Sequence, residues 1–71
     1  MTGDEFRKCR HAANATQAKF GAALGYTGRN IGRQVRHYES GNREIPEWIA
    51  RLADMYRRHG IPRDIGQIDQ G

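Results

Sequence analysis

The sequence predicts a small all-α domain of four to five helices, and three observations carry that expectation. Apolar residues recur at i, i+3 or i+4, and i+7 along most of the chain, and no alternating Val/Ile/Thr run bounded by turns marks a strand. Capping residues precede these runs and Gly or Asn follows them, as in a series of short helices. The chain has 71 residues, 37% of them apolar, enough for one small core. A domain of about 60 residues buries only about 60% of its unfolded surface, so stability is marginal. The lone Cys9 offers no disulfide within the chain.

Each element has a local cause. Thr2 with Glu5 three residues on has the form of a capping box, and Phe6, Cys9, Ala12 and Ala13 follow at helical spacing. A first helix is expected over residues 3–13, ended by Asn14, which tolerates a left-handed backbone. Thr16 is a natural N-cap for a second helix over residues 17–24, stopped by Gly25. In YTGRNIGRQVRHYESG, Ile31, Val35 and Tyr38 form one stripe to be buried, and Gly41 closes the segment. Pro46 suits the first position of a fourth helix, which runs to about His59 with Gly60 as terminator. Arg57, Arg58 and His59 in its last turn complement the helix dipole. Ile61, Ile65 and Ile68 repeat the helical spacing, so the tail is either a short fifth helix weakened by Gly66 or a frayed end. Residues 1–60 read as one domain and 61–71 as its C-terminal tail.

Composition narrows the function. Twelve Lys and Arg face eight Asp and Glu, a formal net charge of +4. Residues 1–43 carry eight basic and three acidic side chains (+5), whereas residues 44–71 carry four and five (−1). Such a localised excess is the electrostatic footprint of a polyanion partner. No apolar run approaches the ~20 residues of a membrane span, and MTGDEFRK lacks the apolar stretch of a signal peptide. A soluble, cytoplasmic protein with no membrane partner is therefore expected. Enzyme clefts of ~300 Å³ or more are hard to excavate from so thin a core, and no nucleophile elbow, P-loop or paired-carboxylate arrangement occurs. Cys9, His11, His37 and His59 lack metal-ligand spacing, and Cys9 reads as a small core residue. The expectation is a binding module without catalytic residues, metal, cofactor or small-molecule ligand.

Two short helices joined by a Gly-containing turn in a basic all-α chain outline a helix-turn-helix. Thr16-Gln17, Gly21, Gly25 and Tyr38-Glu39-Ser40-Gly41, followed by Arg43-Glu44-Ile45-Pro46, stand in order along residues 6–56. In this pattern the chain resembles the Cro and lambda-repressor-like (XRE-type) DNA-binding domain, which implies a lambda-repressor-like fold and binding to double-stranded DNA. Gly21 permits a close helix crossing and Gly25 the positive φ of the turn. The resemblance also implies an ion pair between Glu39 and Arg10 of helix 1. One departure stands out: between Gly25 and Tyr38-Glu39 the chain has about four residues more than the family pattern, roughly one helical turn. Either Thr27 caps a lengthened recognition helix, or YTGRN is an enlarged turn with Asn30 as cap. Gly28 favours the second.

With Ile31, Val35 and Tyr38 facing inward, helical geometry turns Arg29, Arg33, Arg36 and Ser40 outward and sets Asn30 and His37 on one flank, with Gly32 leaving a gap for close approach to DNA. Arginine can bond guanine O6 and N7 together, so Arg33 is the first choice as base reader, joined by Arg29, Asn30, Arg36 and His37. Thr16, Gln17 and Lys19 are expected to contact phosphates, and the resemblance implies that Asn42 and Arg43 touch the sugar-phosphate backbone as well, fixing orientation without reading sequence.

On helix 4 the stripe of Ile45, Ile49, Leu52, Ala53 and Tyr56 is extended by Trp48 and Met55 into an apolar arc wider than the ~100° one core requires. Trp48, Met55, Ile61, Ile65 and Ile68 either pack together within one chain or meet a second copy; a homodimer is expected. Its two recognition helices would read an inverted repeat. The function expected is a dimeric transcriptional regulator, mainly a repressor that blocks polymerase sterically. Phage, prophage, antitoxin and anti-CRISPR-associated regulators all fit this size. The alternative is a protein-binding adaptor on the same fold.

Overall fold

The computed structural model describes residues 1–63. Ile65, Gly66 and Ile68, and with them the expected tail helix, lie outside the described residues. Four helices follow in order: α1 (Gly3–Ala12), α2 (Gln17–Ala23), α3 (Ile31–Ser40) and α4 (Glu47–His59). Among the described residues there is no strand, and no helix is long and apolar enough to cross a membrane.

Local chemistry sets most of the boundaries. The Thr2 N–H donates to Glu5 Oε1 at 2.7 Å and the Glu5 N–H donates to Thr2 Oγ1 at 3.1 Å, a reciprocal capping box. Asn14 turns the chain after α1 at φ 57°. The Thr16 hydroxyl accepts from the Lys19 N–H and caps α2. Gly41 ends α3 in the left-handed region at φ 84°. Pro46 stands one position earlier than expected. It is the N-cap of α4, with ψ 151°, and the helix begins at Glu47; an extended Pro46 directs the chain into the helix while its carbonyl accepts from the Ala50 N–H.

The chain between α2 and α3 is an enlarged turn, not a lengthened helix. Gly28 has φ 100° and Gly25 φ 102°, conformations that a helix excludes and glycine adopts freely. Asn30 occupies the N-cap position of α3, but its side chain makes no capping hydrogen bond.

A run of edge-to-face rings ties all four helices into one core. Tyr38 of α3 meets Phe6 of α1 (centroids 5.4 Å), Phe6 meets Phe20 of α2 (5.3 Å), and Phe20 meets Tyr56 of α4 (6.0 Å). Such contacts contribute about 0.5–1.5 kcal/mol each beyond area burial. Val35, Ile49, Ala53, Leu24 and Cys9 fill the space around them. Burial pushes the Cys9 thiol pKa up, consistent with a packing role. The Tyr56 hydroxyl donates to the Ala23 carbonyl, so its buried polar end is satisfied.

Two glycines bring α3 to its place. A Cβ at Gly21 would lie 2.6 Å from Ile31 Cγ2 and 2.7 Å from the Ile31 carbonyl oxygen, so α2 and the start of α3 touch almost backbone to backbone. At the other end, a Cβ at Gly3 would lie 2.5 Å from the Glu39 carbonyl oxygen, which seats the start of α1 on the end of α3. Gly21→Ala is expected to lower stability by about 1–3 kcal/mol, because the backbone of Ile31 must move. Urea denaturation of the two proteins measures this; an unchanged midpoint would show that the close approach is dispensable.

Candidate nucleic-acid interface

The orientation of α3 is set by a buried carboxylate. The Glu39 side chain is 3% exposed and accepts from Arg10 Nε at 2.6 Å and Arg10 Nη2 at 3.3 Å. It also accepts from Gln17 Nε2 at 3.2 Å, and Arg7 Nε stands 3.7 Å away. Arg10 Nη1 donates in turn to the Ala15 carbonyl at 3.1 Å. One carboxylate thus joins α1, the start of α2 and the last turn of α3. Burial pushes the Glu39 pKa up, but hydrogen bonds from Arg10 and Gln17 and the charges of Arg10 and Arg7 outweigh it and hold the carboxyl below its ordinary value.

With its inner face held this way, α3 turns a basic face outward. Val35 and Tyr38 are buried, Arg33 and Arg36 are exposed, and His37 is half-buried. Asn30, Arg33 and His37 form a ridge, with Arg33 Nε 3.3 Å from His37 Nε2. An open groove runs along each side. On the α2 side it is lined by Gln17, Arg29, Asn30, Gly32, Arg33, Arg36 and His37. On the other side the lining residues are Asn30, Arg33, Gln34, His37, Asn42 and Arg43. The five expected base readers therefore converge, although Arg29 and Asn30 reach the ridge from the enlarged turn and not from the helix. The first turn of α3 has no acidic residue, and its N–H groups add positive potential there.

The expected phosphate contacts divide. Asn42 and Arg43 line the second groove, and Gln17 the first. Gln17 spends one amide hydrogen on Glu39, so it also braces α3. Thr16 and Lys19 are exposed but line neither groove, and the Thr16 hydroxyl is used as the α2 cap. Gly32 lines the groove on the α2 side, and a Cβ there would lie 3.3 Å from the Ala18 nitrogen and 3.4 Å from Gln17 Cβ, so its bare backbone also lets α2 pass close by.

Among the described residues Arg29, Arg33, Arg36 and Arg43 pair with no carboxylate, whereas Arg51 pairs with Glu47, and Arg57 and Arg58 with Asp54. The last two pairings add to the dipole effect expected for the end of α4.

Sequence reasoning missed two contributors. Tyr26, in the enlarged turn, shares a 2.6 Å hydrogen bond with the Tyr38 hydroxyl and so fastens the turn to α3. Burial and that bond push the Tyr26 pKa up to about 12. Gln34 accepts from Arg43 Nη1, which draws the segment after α3 back onto the helix. The aromatic at Tyr26 and the amide four residues before Tyr38 were the only available signals. Of the expected dimer residues, Trp48 (57%) and Met55 (40%) are exposed on α4 and Ile61 packs against the protein's own core.

Scans against protein-family models, curated proteins and solved structures found no match for this chain.

The Glu39 pKa is depressed on folding, so the stability linked to it is fully present above the ordinary carboxylate pKa and is lost as pH falls through the lower folded value. Glu39→Gln is expected to reduce stability at pH 7 by roughly 3 kcal/mol, since Arg10 loses its charged partner, and to flatten the fall in stability below pH ~4.5. Urea titrations across pH test both; an unchanged acid limb in the variant would contradict the assignment.

Proposed function

We propose that the protein is a sequence-specific DNA-binding transcriptional regulator of the Cro and lambda-repressor-like kind, acting mainly as a repressor by occupying its operator. The observation that carries this reading is the ridge of Asn30, Arg33 and His37 on α3, flanked by two grooves and by arginines without acidic partners. A B-DNA major groove about 12 Å wide admits one helix, and α3 presents that ridge to it. Arg33, at the ridge centre, reads a base, with Arg29, Asn30, Arg36 and His37 as further readers. Gln17 and Asn42 stand beside the sugar-phosphate backbones.

Binding as a dimer completes the reading. Trp48 and Met55 lie seven residues apart on α4 and remain exposed, which supports a self-association surface at the two-fold axis. Two α3 helices about 34 Å apart then meet successive major grooves of an inverted repeat.

Footprinting on the promoter of the protein's own operon, combined with a salt titration, tests this function. If the dimer neutralises about six phosphates, log affinity is expected to fall with a slope near −5 against log salt. Arg33→Ala is expected to relax preference at one operator position by about 1–3 kcal/mol. Uniform weak binding without a protected repeat would favour a protein-binding adaptor instead.

A further inference from the structure

We infer that Gln34 and Arg43 act as one specificity-determining pair that presents mainly hydrogen-bond donors to DNA and selects an acceptor-rich base edge, such as guanine O6 and N7. This deepens the DNA-binding reading above and rests on it. Gln34 is half-buried on α3 and lines the groove on the loop side with Arg43. Arg43 Nη1 donates to Gln34 Oε1. Arginine has no acceptor, so the amide orientation is unambiguous: the oxygen faces Arg43 and Nε2 is left for the groove.

Arg43 is itself held in place. Its guanidinium carbon lies 5.9 Å from the centroid of the Tyr38 ring, and its backbone N–H donates to the His37 carbonyl at 3.3 Å. Tyr38 is anchored by Tyr26 through the shared hydroxyl bond. The guanidinium is thus drawn toward α3 instead of extending freely to a phosphate.

The chemical consequence concerns adenine. A free glutamine reads adenine by accepting from N6 while donating to N7. Oε1 keeps a second lone pair, but the Arg43 guanidinium bonded to it sets a cationic donor where the adenine N6 amino group, itself a donor, would have to enter; that bidentate mode is disfavoured, and the remaining Gln34 and Arg43 N–H groups match acceptors. Arg43 therefore affects sequence preference, which a contact to phosphate alone would not.

Selection from a pool of randomised double-stranded DNA, with the wild-type protein, Arg43→Ala, Gln34→Ala and the double variant, tests this pair. Circular dichroism melting shows that each variant is folded, and both side chains lie at the groove surface and outside the core. Arg43→Ala is expected to shift preference at one base pair from guanine toward adenine, with a loss of guanine discrimination of roughly tenfold. Gln34→Ala is expected to relax the same base pair, and the double variant to add little to either. Equal weakening on all sequences by Arg43→Ala, or changes at different base pairs in the two single variants, would overturn the pair while leaving the DNA-binding reading intact. A wild-type protein that selects no sequence would overturn both.

Discussion

Everything that α3 can do depends on where Glu39 holds it. A carboxylate taken out of water is costly unless it is paired and hydrogen-bonded. Here Arg10 and Gln17 donate to it and Arg7 stands nearby, from two other helices. The anchor lies at the last turn of α3, and Gly21 makes the matching close contact with Ile31 at the first turn. A helix pinned at both ends by partners that cannot shift independently has its rotation fixed. The outward direction of Arg33 and Arg36 follows from that constraint, not from any contact they make themselves.

The enlarged turn between α2 and α3 sets a second constraint on α3. Additional residues between two packed helices would ordinarily loosen the second one. Gly25 and Gly28, both at positive φ, let the chain turn back, and the Tyr26–Tyr38 hydroxyl bond fastens the turn to the last turn of α3. It also places Arg29 and Asn30 at the head of the ridge, next to helix N–H groups that no side chain caps. Tyr38 serves both faces at once, since its ring joins the core run through Phe6 while carrying Arg43 on the groove side.

Much of this was legible in the residues, for physical reasons that act over one helical turn. The Thr2–Glu5 box, the Thr16 cap and the terminators Asn14 and Gly41 depend on neighbours three or four positions away, so sequence spacing reveals them. The buried stripe of Val35 and Tyr38 likewise follows from periodicity, and it placed the arginines of α3 on the outer face. What stayed hidden depends on packing between distant segments. The second role of Gly32, close contact with the start of α2, was hidden because that contact comes from the preceding helix. Gln34 gave no signal of its own because its partner Arg43 arrives from the segment after the helix. Pro46 was displaced by one position because an extended ψ suits the N-cap as well as the ring suits the first turn.

The ring of contacts around Glu39 matters for function only if the face it orients enters a DNA groove. Intermolecular nuclear Overhauser effects between labelled protein and a duplex carrying its selected site measure that placement directly. The expected result is contacts from Arg33 and His37 side-chain protons to major-groove protons, namely thymine methyl and cytosine H5, with none from Trp48. Contacts confined to α4, or none between residues 30–37 and any base proton, would contradict the account.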